Sequence, residues 1–570
     1  MTRLSSFFLL FTLLSACQTT APQPKAEMLI INGNVMTMDT AYRSVDAIAI
    51  RAGKILALGT SKALMEYYRV DSTQILDVKG AFVMPGLIEG HGHFLSMGKS
   101  LTNLNLLHTR SWEEIVDSVK VRVARAKPGE WIYGRGWHQE KWDKRPIRNY
   151  FGYPDHRDLS AVSPDNPVLL SHASGHALFA NKKAMELAGI NSESPDPVGG
   201  AILRFSDGAP IGVFEENAMY PVQKAYQKYL NSKTPAEREQ TFRDAVLRAS
   251  KHCWRWGVTS FQDAGTTPEE YRMYQKWKGE VGVRLNVMLL GEPKRLKQAL
   301  DAGILNAQSN AVSCHAIKAY FDGALGSYGA WMLESYADKH RYFGQNTTPL
   351  DTLQALSDLA AQHRLQFCVH AIGDRANRAV LDLVEEKIKA GVLSKDHRWR
   401  IEHAQHIDPS DIPRFHTLGV IASMQPVHCT SDAPFVVKRL GHSRAKHGAY
   451  PWRSLLDAGA KMAIGTDVPV EEINPFVNIY AAVTRRRLDN GMTLFPEQRM
   501  TREEILQGYT IWNAYAAREE KEKGSLTPGK WADIVVFSKD LSKCKENDIP
   551  HNKVIYTILG GNIVYERKKI

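Results

Sequence analysis

The chain has 570 residues, 44% of them hydrophobic and 23% charged, which makes room for more than one structural unit and excludes disorder as the default. Its formal charge of +11 is scattered, with "TRRRLDN" (484–490) and "ERKKI" (566–570) as short clusters. Without a basic stripe interleaved with aromatics, that charge reads as solvated surface or attraction to an anionic membrane face and argues against a nucleic-acid partner.

The first seventeen residues, "MTRLSSFFLLFTLLSAC", carry one basic residue, a short apolar core from Phe7 to Leu14 and small residues before Cys17. That is the layout of a secretory signal, and the core is too short to span a bilayer. "LSAC" resembles a bacterial lipobox, which makes residues 1–16 a signal peptide and Cys17 the lipidated first residue of the mature chain. Gln18 does not resemble the aspartate that retains such proteins at an inner membrane. The expectation is therefore an exported lipoprotein anchored in the outer membrane, facing either the periplasm or the surface. Residues 17–27 read as a tether. The other five cysteines, Cys253, Cys314, Cys368, Cys429 and Cys544, are widely spaced with no C-x-x-C, unlike a disulfide framework or a thiolate metal site.

From residue 28 to 84 the sequence shows short strand candidates punctuated by Gly and Asn. Residues 516–570 have the same style, including "KVIYTILGGNIVYE" with a Gly-Gly hairpin signal. Two β-rich ends predict one small β-sandwich built from both termini. Between them, residues 85–515 alternate apolar strands with helical stretches. Strand candidates follow at "FVMPGLIEGHGH", 256–265, 283–290, 315–323, 365–374, 399–406, 419–427 and 460–469. Helices are read at "PAEREQTFRDAVLRASKHCWRW", "TLQALSDLAAQHR" and "ANRAVLDLVEEKIKAG". Eight parallel strands alternating with helices predict an α/β fold, a (β/α)8 TIM barrel whose site lies at the C-terminal strand ends. The stretch of about 95–256, far longer than a βα loop, reads as an insertion capping the mouth.

Chemistry-bearing residues gather at those strand ends. His91 and His93 in "EGHGH" face one side of a strand, a start for a metal site. "FCVHAIGD" adds His370, "RIEHAQH" adds His403 and "AIGTDVP" adds Asp467. A lone His or Asp at a strand end is more often bonded to backbone. Four imidazoles and a carboxylate on strands 1, 5, 6 and 8 suit zinc or a similar divalent ion instead. Lys318 lies inside an apolar strand, where an amine is costly unless neutral or paired, with Asp322 or a substrate carboxylate as candidate partners. A CO2-derived carbamate on its amine is the other reading, an anionic ligand able to bridge two ions.

The series "PGLIEGHGH … IKAYFDGALGS … VHAIGD … RIEHAQ … IASMQP … IGTDVPVE" resembles the amidohydrolase superfamily. The likeness is to its amidohydrolase-3 branch, which includes YtcJ-like proteins and N-substituted formamide deformylases. "GHALFANKKAMELAGI", "IGVFEE" and "GSLTPGKWADIVVF" extend it over nearly the whole chain after the tether. The resemblance implies a barrel with two divalent ions, zinc being the expected metal. His91 and His93 would hold the more buried ion, Lys318 would bridge as carbamate, and His370 and His403 would hold the second. Asp467 would ligate and act as general acid/base, and His176 with Asn181 would face substrate, His176 also as a donor to the oxyanion. Glu89, where Asp is frequent, and Thr466, where Ser is frequent, depart from the pattern.

These roles point to hydrolysis of a C–N bond in a small-molecule amide, N-acyl or N-formyl compound, because a divalent ion lowers the pKa of bound water to about 7. A mononuclear deaminase of the same superfamily and a noncatalytic binding lipoprotein on this scaffold are the competing readings. Trp131, Trp137 and Trp142 form either an apolar substrate wall or a small core. Substrate and oligomeric state, a homodimer included, stay open at this stage.

Overall fold

The computed structural model describes residues 24–568 apart from 43–44, 140–141, 151, 174, 176 and 198–199. The signal, Cys17 and His176 lie outside the described residues.

Eight parallel strands follow one another around a nearly closed barrel: β1 (Leu87–Gly92), β2 (Val258–Thr266), β3 (Arg284–Leu290), β4 (Val312–Tyr320), β5 (Gln366–Ala371), β6 (Arg400–His403), β7 (Ile421–Met424) and β8 (Met462–Ile464). Each coincides with a segment read as a strand from its apolar run. Between them, helices such as Leu350–Gln362 and Asp374–Lys389 turn an apolar stripe onto the sheet. Strands β2 to β5 contribute Ala264, Met288, Ala316 and Cys368 to one small apolar cluster.

Closure of β1 against β8 depends on side chains as well as backbone. Buried Asn513 donates to the carbonyls of Ile88 and Ile464, both at 2.7 Å, and accepts from the Ile464 amide at 2.8 Å. Beyond the strand ends the amide of Asp467 donates to His91 O (2.8 Å) and that of His93 to Val468 O (2.7 Å). Glycine is required where the chains approach. A Cβ on Gly90 would fall 2.4 Å from Ile464 O, and one on Gly465 would fall 2.5 Å from His91 N.

The terminal segments form two packed sheets. Four N-terminal strands make one. The other joins Asn34–Val35 and Phe82–Pro85 to Ile534–Phe537, Val554–Leu559 and Asn562–Glu566. Their shared core pairs residues such as Ile30 and Ile48 from the first with Val83, Ile534 and Val536 from the second. Gly560 and Gly561 both take positive φ in the last hairpin, the geometry of a two-residue turn matched to strand twist. Arg284, at the start of β3, pairs with Asp533 at 2.5 Å, so the sandwich sits against the N-terminal strand ends, opposite the candidate site.

The insertion after β1 has a six-stranded sheet of its own, ordered Gly200–Arg204, Pro210–Glu216, Ala177–Ala180, Val168–His172, Ile132–Trp137, Leu104–Asn105. Trp137 is buried in its core and donates its indole N–H to Leu170 O (2.9 Å), and Trp131 is buried in a second cluster. Trp131 and Trp137 thus pack the insertion's own cores, with Trp142 partly buried against the first of them. The helix Pro235–Arg255, opened by a Thr234–Glu237 capping box, leads the chain back to β2. The insertion meets the segment after β8 through Arg135 Nη1, which donates to Pro469 O (2.5 Å), and His108, 3.1 Å from Glu472. One cation of the "TRRRLDN" cluster is not surface charge: Arg485 is buried, donating to Leu494 O and Tyr450 O and stacking on Trp452.

Candidate metal centre

Alternation along β1 turns Glu89 and His91 into the barrel end, with His93 one step nearer solvent. The rings of His91 and His93 lie 5.8 Å apart and nearly perpendicular. His91 Nδ1 meets Glu402 Oε2 at 2.5 Å, which fixes the ring and leaves Nε2 directed at the cluster. Burial, followed by the nearby Lys318 amine, lowers the His91 pKa to about 4, so the imidazole is in its neutral, ligand-competent form.

Strand β6 brings Arg400 and Glu402 to the same inner face. Arg400 Nη2 donates to Gly90 O (2.8 Å) and Ser423 Oγ (2.9 Å), and its Nε lies 2.8 Å from Glu402. Burial alone would raise the Glu402 pKa, but Arg400 and His91 outweigh it and hold the carboxyl well below its usual range. Alternation would send the next residue, His403, away from the centre. Its backbone instead turns left-handed (φ 76°), ending the strand and bringing the ring to 4.8 Å from His91 and 4.4 Å from His370. His403 Nδ1 is 2.8 Å from Gln425 Oε1, whose amide nitrogen is bound to Ser423 O, so its Nε2 is also left free.

Asp467, in the left-handed region at φ 62°, places Oδ1 3.1 Å from His93 Nε2 and 3.6 Å from His91 Nε2. Its Oδ2 lies 3.7 Å from Nε2 of His428. Two three-residue groups result, His91–His93–Asp467 and His403–His428–Asp467, each with its donor atoms within 4.8 Å of one another. Burial works to raise Asp467, but His93, His91 and His403 hold it well below the ordinary carboxylate range.

Lys318 is fully buried and its Nζ has no hydrogen-bond partner; burial depresses its pKa. It is not paired with Asp322, whose carboxylate accepts the amides of Trp331, Ile372 and Gly373 at 2.8–2.9 Å. His370 borders His403, yet its Nε2 lies 3.5 Å from Asp322 Oδ1 and it belongs to neither three-residue group. Nε2 of His91, of His370 and of His428 and Nζ of Lys318 are buried without partners. Unpaired buried polar atoms are costly. Imidazoles sharing a carboxylate, with a buried amine beside them, fit a divalent ion or ions.

Asn181 is the expectation the geometry overturns. Fully buried, it caps the helix Lys182–Ala188 through Ala184 N (3.0 Å), accepts from Val168 N (2.9 Å), and spends its amide protons on Ser163 and Asn166. Nothing remains for a substrate. The residues that sequence reading passed over are Arg400, Glu402, Gln405, Gln425 and His428.

The amidohydrolase family model, Amidohydro_3, matches residues 74–565. The chain belongs to the amidohydrolase family. Protein LONG AFTER FAR-RED 3 of Arabidopsis thaliana is 34% identical over 557 residues, covering 95% of this chain and 92% of that protein. N-substituted formamide deformylase of Arthrobacter pascens is 26% identical over 552 residues, covering 95% and 98%. Among solved structures, an uncharacterized metal-dependent hydrolase from Pyrococcus horikoshii superposes with a TM-score of 0.75 at 25% identity, over 91% of this amidohydrolase and 99% of that chain. Family and fold make the protein a hydrolase acting on carbon–nitrogen bonds.

Proposed function

We propose that this amidohydrolase cleaves the C–N bond of a small N-acyl or N-formyl compound, with Asp467 as general acid/base beside a divalent metal centre. The observation that carries the reading is Asp467 itself, a single carboxylate shared by two groups of imidazoles at the mouth of the barrel. His91, His93, His403 and Asp467 would hold metal, with His370 at the edge of the set and Lys318 contributing as a carbamate. Burial of Lys318 lowers its pKa and so favours the free amine, the form that adds CO2. A bound divalent ion supplies water acidified toward neutrality and polarises the scissile carbonyl.

The protein's own groups do the rest. Asp467 takes the proton of the attacking water and returns it to the departing nitrogen, a transfer that needs a positioned carboxylate ionised at neutral pH. Glu402 and Gln425 hold His91 and His403 in the tautomer that exposes Nε2. The formamide deformylase relative is consistent with this substrate class. An exported form anchored through Cys17 belongs to the same proposal and rests on residues 1–17 alone.

The test is metal content per chain of the mature protein, lacking residues 1–17, followed by turnover of N-formyl and N-acyl amines. About two ions and release of formate or another carboxylate support the reading. One ion with ammonia released from an aromatic amine would replace it with a deaminase.

A further inference from the structure

His428 lies on the first turn of the helix Pro426–Leu440, which the Val427 amide anchors to Asn478 Oδ1 at 2.7 Å. Its ring is stacked parallel to that of His403, 6.0 Å away, and its buried Nε2 has no partner and points at Asp467. By distance alone it is a third ligand with His403 and Asp467.

The hydrogen bonds on the far side of the two rings say otherwise. His403 Nδ1 faces a carbonyl-type oxygen, Gln425 Oε1, so Nδ1 carries the proton and Nε2 the lone pair. His428 Nδ1 faces the amide nitrogen of Gln405 at 3.0 Å. That nitrogen donates, so His428 Nδ1 holds the lone pair and the ring's proton sits on Nε2. A protonated ring nitrogen does not bind a cation. Two neighbouring imidazoles on either side of one carboxylate are thus set in opposite tautomers.

We infer that His428 is a catalytic residue acting as hydrogen-bond donor, its Nε2–H binding the substrate's carbonyl oxygen and the oxyanion that develops on it, with Gln405 as the positioning residue that fixes the tautomer. The inference rests on the hydrolase reading above. It fills the donor role that sequence reading gave to His176. A donor held rigid in a buried site stabilises developing negative charge strongly, because it needs no reorganisation during the reaction.

Four proteins decide it: wild type, His428→Phe, His428→Gln and Gln405→Glu, each measured for metal per chain, kcat and KM on an N-formyl amine that the wild type hydrolyses. His428→Phe keeps the wild-type metal content and loses about 10²–10³-fold in kcat, the scale of removing one oxyanion donor. His428→Gln, which keeps an N–H near the same place, recovers part of that loss. Gln405→Glu sets a carboxylate acceptor opposite Nδ1, which draws the ring proton from Nε2 to Nδ1 and lowers kcat with no loss of metal. Loss of an ion in His428→Phe, or wild-type kcat in Gln405→Glu, overturns the assignment. If the wild type hydrolyses no amide, the hydrolase reading fails separately, and neutron diffraction from deuterated crystals still decides the tautomer. Deuterium on His428 Nε2 with a bare Nδ1 sustains the donor form, and the reverse overturns it.

Discussion

Glu89 and Thr466 are bound to each other. The Thr466 amide donates to Glu89 Oε1 at 2.6 Å and its hydroxyl to Oε2 at 3.0 Å, both groups fully buried where β1 meets the end of β8. The two positions at which the chain departs from the family's frequent residues are therefore one contact. Burial, against those bonds, pushes the Glu89 acid up to about 8. The contact holds the backbone one residue before Asp467, whose left-handed φ needs support from its neighbours.

Glu89→Asp withdraws the carboxyl by one methylene and strands the Thr466 amide. The expected cost is about 1–3 kcal/mol, the penalty for a buried polar group left unpaired. Urea unfolding measures it, and metal content of the folded fraction should fall in parallel as Asp467 loosens. Unchanged stability and metal content would show that the seam does not depend on this pair.

Asp467→Asn keeps the size of the side chain and an oxygen able to ligate, but cannot accept the proton of the attacking water. Turnover should fall to background while most of the metal is retained, read by elemental mass spectrometry on the same sample. Full activity in this variant would remove Asp467 from the reaction.

Lys318→Ala removes the buried amine beside the imidazoles. The variant should purify with at least one ion fewer, and added formate or acetate, standing in for the bridge, should restore part of both metal and activity. Wild-type metal content in Lys318→Ala would exclude the carbamate.

The barrel and half of the centre were legible because they are written in position. Apolar runs that stop at His93, His370, His403 or Asp467 mark strand ends, and a parallel barrel brings those ends to one rim. What was not legible depends on orientation. His428 belongs to a helix past β7, with no strand end to flag it. Glu402 was hidden by its neighbour, since alternation puts adjacent residues on opposite faces and only the left-handed turn at His403 lets both point inward. Asn181 was the opposite case, a residue with a cap's position before "KKAMELA" that was given a substrate to bind.

The cap should have its own acid sensitivity. Asp155 is buried in the insertion and accepts from Arg157 Nε (2.9 Å), Arg157 Nη2 (2.7 Å) and Arg148 Nε (2.8 Å). Burial would raise its pKa, but Arg157 and then Arg148 bring it down from 3.8 to about 2. A carboxylate depressed in the folded state adds stability that is complete above 3.8 and is lost as pH falls toward 2. Because both arginines are half exposed, solvent screens part of that gain. In wild type, proteolysis of the 95–256 segment should therefore accelerate between those pH values. Asp155→Asn should be cut faster at neutral pH and show a flatter acid response. An identical acid response in the variant would place the sensitivity elsewhere.

Arg135 ties that cap to the chemistry. Its guanidinium, on the strand Ile132–Trp137, bridges Pro469 O at 2.5 Å and Ala173 O at 3.4 Å, and Pro469 is two residues from Asp467. A hydrogen bond from a charged donor contributes about 1.5–3 kcal/mol, enough to bias the cap toward its seat over the mouth. Lysine has no planar fork and cannot make both contacts from one position. Arg135→Ala should leave metal content near wild type. Its KM should rise several-fold, because substrate binding must then order the cap, with a smaller fall in kcat from the looser Asp467 segment. Arg135→Lys should lie between the two. If both variants match wild type in KM and kcat, the insertion does not govern access to the centre, and the Arg135–Pro469 contact serves packing alone.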